Sequence, residues 1–227
     1  MRQFAVIGLG NFGANMAIKL CDLGHPVLAI DNSEAAMETV RDQVTQPVVA
    51  DALDRRVLES LGVGDVDCAI VSLGSRVDAS ILLTLYLKEL GIKEIVVKAV
   101  SEDHKRILGM IGATTVILPE KDTAIRTAYA LANPNIVDRV PLAPGFSILE
   151  MTTPPDFVGK SLLELEIRSK YNIEIVAIKN SSNVPEEQSK IVVIPSSSHR
   201  LKKDDVLVVI ASDKNMEQFH KDHKASE

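Results

Sequence analysis

The 227-residue chain has no tryptophan, three tyrosines and five phenylalanines. Proteins that hold single-stranded nucleic acid stack its bases on aromatic rings along a cationic groove. With few rings and a net charge of -6, this sequence argues against a nucleic-acid surface. Cysteine is nearly absent: Cys21 and Cys68 show neither metal-ligand spacing nor a disulfide framework, and both read as core thiols. No apolar run approaches the roughly 20 residues that span a bilayer. The N-terminus MRQFAVIGLG enters a strand, not the apolar region of a signal peptide. Cytoplasmic residence is therefore expected, with any membrane association arising through a protein partner. Catalytic signatures are missing too, since no HExxH, GxSxG or GxxxxGKS pattern occurs. Of the five histidines, His25 falls in a turn, His199 in a polar hairpin, and His220 and His223 in a charged tail. His104 lies nearest the expected cleft mouth and reads as a surface position on its helix.

What the chain does have is an ordinary globular composition, 46% hydrophobic and 25% charged, opening on QFAVIGLGNFGANMAIKLCDLGHPVLAID at residues 3–31. The apolar run Phe4–Ile7 suits a strand buried on both faces. Gly8-Leu9-Gly10-Asn11-Phe12-Gly13 follows at once, and a helix continues to Leu23 with Met16, Ala17, Leu20 and Leu23 on one stripe. A second strand, 26–30, ends in Asp31. Glycine at position 8 allows a tight turn, Gly10 lets backbone approach a pyrophosphate, and Gly13 lets the helix pack on the strand. Free N–H groups at the helix start would face the phosphates. Asp31, 18 residues beyond Gly13, can accept from both ribose hydroxyls and would repel a 2′-phosphate, which disfavours NADP. Glycines also mark plain turns, but here strand, glycines, helix, second strand and acid occur in order. The motif does not choose among NAD, ATP, ADP and AMP.

Further along, helices and strands alternate. Helices are expected over 32–42 with Ser33 as N-cap, 54–61, from a Ser75 cap to Leu90, 102–111, and 119–132; strands over 46–50, 68–72, 94–99 and 115–118. Six strands with crossover helices predict a Rossmann-like, doubly wound parallel sheet, with ligands at the strands' carboxyl ends. That rule selects Gly8, Gly10, Asn11, Phe12, Gly13, Asp31, Asn32, Asp51, Ala52, Ser72, Leu73, Gly74, Lys98 and Glu120 as nucleotide-binding candidates. After Asn133-Pro134-Asn135 the pattern changes. The expected division is a nucleotide-binding domain over 1–135, a linker over 136–144 marked by Pro141, Pro144 and Gly145, and a small, mostly β, α+β domain over 145–227. In that domain, strands are expected over 146–152, 173–179, 190–194 and 205–211, with short helices over 161–166 and 214–219. A hydride-transfer enzyme needs an acid–base residue beside the nicotinamide and a second-substrate pocket. Neither is visible, so a nucleotide sensor that answers by changing shape is expected. An NAD-dependent oxidoreductase and a sensor serving another transporter are the alternatives.

The stretches FAVIGLGNFG (4–13), VLAID (27–31), LLTLYLKELG (82–91), VVKA (96–99), IGATTVILPEKD (111–122) and RSKYNIEIVAIK (168–179) resemble the KtrA/TrkA family. Its members are cytoplasmic regulatory subunits of bacterial potassium uptake systems, built from RCK (regulator of potassium conductance) N- and C-terminal domains. The resemblance implies a ring, commonly of eight RCK domains, docked under a membrane subunit of KtrB/TrkH type and switched by ATP, ADP or NADH. It implies that Gly8, Gly10, Gly13, Asp31 and Lys98 line the nucleotide and that Glu120 holds Mg or another cation beside the phosphates. It also implies a cyclic di-AMP site in the C-terminal domain near Arg168, Ile173 and Pro195. Asn11 departs from the family, which usually has arginine there, thought to reach the terminal phosphate of ATP. A charge-assisted bond of this type is worth roughly 1.5–3 kcal/mol, and about 1.4 kcal/mol is a tenfold preference. Weak ATP-over-ADP discrimination, or a preference for ADP, AMP or NAD(H), is expected. Arg76 either substitutes for the missing charge or is a solvated helix-start residue.

Overall fold

The computed structural model describes residues 1–179 and 191–223, which fall into two compact units, Met1–Glu120 and Lys121–Glu227. The first alternates β1 (Phe4–Ile7), α1 (Asn11–Asp22), β2 (Val27–Asp31), α2 (Glu34–Glu38), β3 (Gln46–Val49), α3 (Arg55–Ser60), β4 (Cys68–Val71), α4 (Val77–Glu89), β5 (Glu94–Lys98), α5 (Glu102–Ile111) and β6 (Thr115–Ile117). The strands pair in parallel in the order β3-β2-β1-β4-β5-β6, a doubly wound sheet. Strand side chains alternate between two apolar layers: Ala5, Ile7, Ala69 and Val71 pack with Leu83, Leu87 and Leu108, whereas Val6, Cys68 and Ile70 pack with Ala17 and Met37. Removing each such Ile or Leu side chain from water is worth about 1.5–3 kcal/mol. Because β2 and β4 flank β1 on opposite sides, the order of strand addition reverses beside β1, and at the carboxyl ends of the strands there such sheets open a crevice.

Local chemistry sets the helix starts. The side chains of Ser33, Asp54 and Ser101 accept from the N–H groups of Ala36, Arg56 and His104. Two expectations are corrected here. Instead of Ser75, Arg76 occupies the N-cap of α4 and offers it no side-chain bond. The helix expected to reach Asp42 stops at Glu38, where the Thr39 hydroxyl donates back to Ala36 O and competes with helical continuation.

His104 is also not on the surface. It is 3% exposed, because α5 turns His104 and Leu108 inward together. Its Nε2 lies 2.8 Å from the Ser80 hydroxyl on α4, and Val100 N–H donates to Nδ1 at 3.4 Å. Burial therefore occurs with both ring nitrogens partnered, and it pushes the imidazole pKa down.

The second unit holds most of α6 (Pro119–Ala132), then β7 (Ile136–Ala143), β8 (Phe146–Thr152), α7 (Leu162–Leu165), α8 (Ile167–Tyr171), β9 (Glu174–Lys179), β10 (Ile191–Val193), β11 (Val206–Ser212) and α9 (Asp213–Asp222). Its antiparallel sheet runs β10-β9-β11-β8-β7. The segment expected as a linker is β7, paired with β8 through Arg139↔Leu149 and Val140↔Ile148. The prolines that suggested a break are compatible with it. Pro141 sits on an edge strand, where a missing donor costs least, and Pro144-Gly145 makes the β7–β8 turn with Gly145 at φ +77°. His220 belongs to α9, and His223 packs on Phe157, Tyr171 and Phe219 while facing Asp156. Neither is a solvated tail residue. Lys190, expected to open a strand, and the tail beyond His223 lie outside the described residues. Among the described residues, no helix is long and apolar enough to cross a membrane.

Candidate nucleotide-binding site

The carboxyl ends of β1, β2, β3 and β4 surround a cavity of about 250 Å³. Its walls include Gly8, Gly10, Asp31, Asn32, Asp51, Ala52, Ser72, Leu73 and Gly74, all selected from the sequence pattern. Four apolar residues that the sequence reading did not select, Ile7, Ile30, Ala50 and Leu53, complete the floor, together with Arg76. The first two are the last or next-to-last residues of buried strands, and their apolar character pointed to the core alone. An adenine ring or a ribose face can lie against such a floor.

The three loop glycines have different physical roles. Gly8 has φ +92°, and a Cβ there would stand 2.3 Å from Ser72 O, so this turn requires glycine. At Gly13 a Cβ would lie 1.9 Å from Gly8 O, so the helix can approach the loop only without a side chain. Around Gly10 a Cβ would meet nothing within 4 Å. Its openness is not used by the protein's own packing, which leaves room for a ligand to come against the backbone. Gly10 is the N-cap of α1 and supplies no side-chain bond. The first N–H groups of this 12-residue helix are thus left for an anion.

Asp31 ties the loop to the second strand. Its Oδ2 accepts from Leu9 N–H at 2.6 Å and its Oδ1 from Ser33 N–H at 2.8 Å. Each oxygen retains a further lone pair, so the carboxylate is oriented by backbone and still able to receive a hydroxyl pair. Asp51 is held similarly, accepting from Leu53 N–H at 3.0 Å.

Five expected residues do not line the cavity. Asn11, Phe12 and Gly13 form the first turn of α1 beside it. Lys98, at the end of β5, is ion-paired with Glu120 and lies 5.8 Å from the Phe12 ring centroid. Lys98 donating to Glu120 holds that carboxyl below its ordinary range. Among the described residues, no three His, Cys, Asp or Glu side chains converge as a metal site. Within one chain, then, Glu120 offers a cation a single carboxylate already countered by a lysine, and these residues do not make up a metal centre.

A doubly wound domain with a crevice at its strand ends, followed by a small antiparallel α+β unit, defines a two-part α/β class. Family models refine it: the TrkA-N domain matches residues 4–119 and the TrkA-C domain residues 147–223. The chain belongs to the KtrA/TrkA family. It is 37% identical to the Ktr system potassium uptake protein C of Bacillus subtilis over 97% of this chain and 96% of that protein. Ktr system potassium uptake protein A of the same organism is 35% identical, covering 96% and 95% of the two chains. Among solved structures, the GsuK channel bound to NAD superposes with a TM-score of 0.51 at 22% identity, over all of this chain and 39% of that one. That likeness concerns the fold.

Proposed function

We propose that this protein is a cytoplasmic, non-enzymatic regulatory subunit of a potassium uptake system, in which an adenine nucleotide sets the conformation of an RCK assembly that gates a membrane subunit. The reading is carried by the cradle at the end of β1, where an open Gly10, an uncapped helix start and a pre-oriented Asp31 meet. Its chemistry suits a phosphate joined to an unmodified ribose, and similarity to Ktr system proteins extends over both units. A ligand drives such a switch only by its differential affinity for two states. The ring of eight and a KtrB/TrkH-type partner follow from the family resemblance. So does peripheral attachment to the membrane through that partner.

Titration calorimetry with ATP, ADP, AMP and NADH, alongside measurement of assembly size, tests the proposal. Binding of an adenine nucleotide with a change in assembly and no turnover is expected. Preference for NADH with turnover of a hydroxy acid or aldehyde would instead favour an oxidoreductase. In the second unit, a cavity of about 720 Å³ is lined by Arg168, Ile173 and Pro195, the three positions to which the family resemblance directs cyclic di-AMP. Binding of cyclic di-AMP that is lost in Arg168→Ala would support that assignment; equal binding by the variant would remove it.

A further inference from the structure

We infer that Arg76 reads the phosphates of the bound nucleotide and makes the site select ligands with a phosphate beyond the first. This inference rests on the nucleotide reading above and adds the residue that recognises the ligand's charge.

Among the described residues, Arg76 is the one cationic residue lining the cavity; the other charged walls are Asp31 and Asp51. Its backbone is fixed on both sides, since its N–H donates to Leu73 O at 3.2 Å and its carbonyl accepts from Ser80 N–H at 3.0 Å. Its side chain is exposed, and neither cavity carboxylate engages it. Asp31 uses its oxygens on Leu9 and Ser33, and Asp51 holds Leu53. The other cation near the loop, Lys98, is already paired with Glu120. Residue 11, on the first turn of the helix that faces the phosphates, is a neutral asparagine.

A nucleoside diphosphate entering this cavity brings at least two negative charges to walls already carrying two carboxylates. The open start of α1 supplies about half a positive charge, which does not offset them. Among the described lining residues Arg76 supplies the countercharge, and its planar fork matches two phosphate oxygens. Adenosine has no phosphate for Arg76 to contact, and AMP has only a first phosphate, for which the N–H groups at the start of α1 are open.

The test compares ADP, AMP and adenosine binding to the wild-type chain, Arg76→Gln, Arg76→Lys and a control, Arg106→Gln, on exposed α5 surface. Thermal melts of all four check that the variants fold. Wild type is expected to bind ADP at least tenfold more tightly than adenosine. In Arg76→Gln, ADP affinity should fall by roughly 10- to 100-fold with adenosine unchanged. Arg76→Lys should recover part of that loss, and Arg106→Gln should behave as wild type. The dependence of log affinity for ADP on log salt should flatten in Arg76→Gln alone. If wild type binds ADP and Arg76→Gln binds it equally well, this inference is overturned while the nucleotide reading stands. If wild type binds no adenine nucleotide, the underlying reading fails and takes the inference with it.

Discussion

A methyl group separates two kinds of glycine in the loop at 8–13. At Gly13 it would collide with the backbone oxygen of Gly8, and neither atom is at the flexible end of a side chain. Gly13→Ala is therefore expected to lose several kcal/mol of stability by forcing α1 away from β1, seen as an earlier urea midpoint. Gly10→Ala meets open space. It should keep the wild-type midpoint and weaken nucleotide binding, since its methyl group takes up room beside the N–H groups of the helix start. If both variants unfold alike, or if Gly10→Ala binds nucleotide normally, the division of roles is wrong.

His104 makes a pH-dependent contribution at the same scale. Its folded-state pKa is depressed by burial, so below its ordinary value of about 6.5 the unfolded chain binds the extra proton first. Its contribution is complete above about pH 6.5 and declines as the pH falls. His104→Asn should flatten the stability of the first unit as the pH falls below about 6.5; an unchanged profile would assign the acid sensitivity elsewhere. Burial pushes the Cys68 thiol up to about 11, so a thiol reagent at neutral pH should titrate Cys68 only after unfolding.

At the scale of elements, Arg139 holds one end of the second unit together. From β7 its guanidinium donates to the Ser147 hydroxyl at 2.9 Å and to Asp213 Oδ1 at 2.8 Å, and it stacks 4.3 Å from the Tyr129 ring centroid on α6. The Ser147 hydroxyl in turn donates to Asp213 at 3.0 Å and is fully buried. Arg139→Met would leave these acceptors without their shared donor, at an expected cost of about 1–3 kcal/mol. The companion variant Asp213→Asn should not add its own full loss, because the two act in one network. Additive losses in a double-mutant cycle would show that the residues act independently.

The same strand shows where sequence pattern stops specifying structure. Among the parallel strands, β1, β2 and β4 are legible as short, nearly all-apolar runs, whereas β3, β5 and β6, which carry Gln46, Glu94 and Thr115, are legible from their place in the alternation with helices. β7 is not: its Val137-Asp138-Arg139-Val140-Pro141 has mixed polarity, and its proline reads as a breaker until the strand is known to lie at an edge. Likewise His104 reads as a surface residue from the sequence because its partner Ser80 is 24 positions away on another helix. The polar walls of the site followed from the rule about strand ends. The cavity's apolar floor did not, since Ile7 and Ile30 look no different from core residues. The Lys98–Glu120 pair is equally hidden, because the strand-end rule points both residues at the ligand and Glu120 otherwise reads as a capping acid of the next helix.

At the scale of the whole molecule, α6 carries an unresolved demand. It is a 14-residue helix with no fully buried residue, and Ile125 and Leu131 are 56% and 79% exposed. On neighbouring β7, Val140 and Leu142 are also exposed. Helices in water are held mainly by packing an apolar face, and exposed apolar patches of this kind commonly mark association surfaces. The assembly proposed above would cover such a face with a second copy of this chain. Association of this kind makes stability depend on concentration, so dilution should lower the melting temperature of the wild-type chain. The double variant Ile125→Asp, Leu142→Asp should sediment as a smaller species, melt independently of concentration, and still bind nucleotide, because neither position lines the cavity at the end of β1. It should also lose any nucleotide-driven change in assembly. If the wild-type chain sediments as a monomer at micromolar concentration, or if the variant keeps the wild-type mass, this surface is not where copies meet, and the gating assembly must be built through another face.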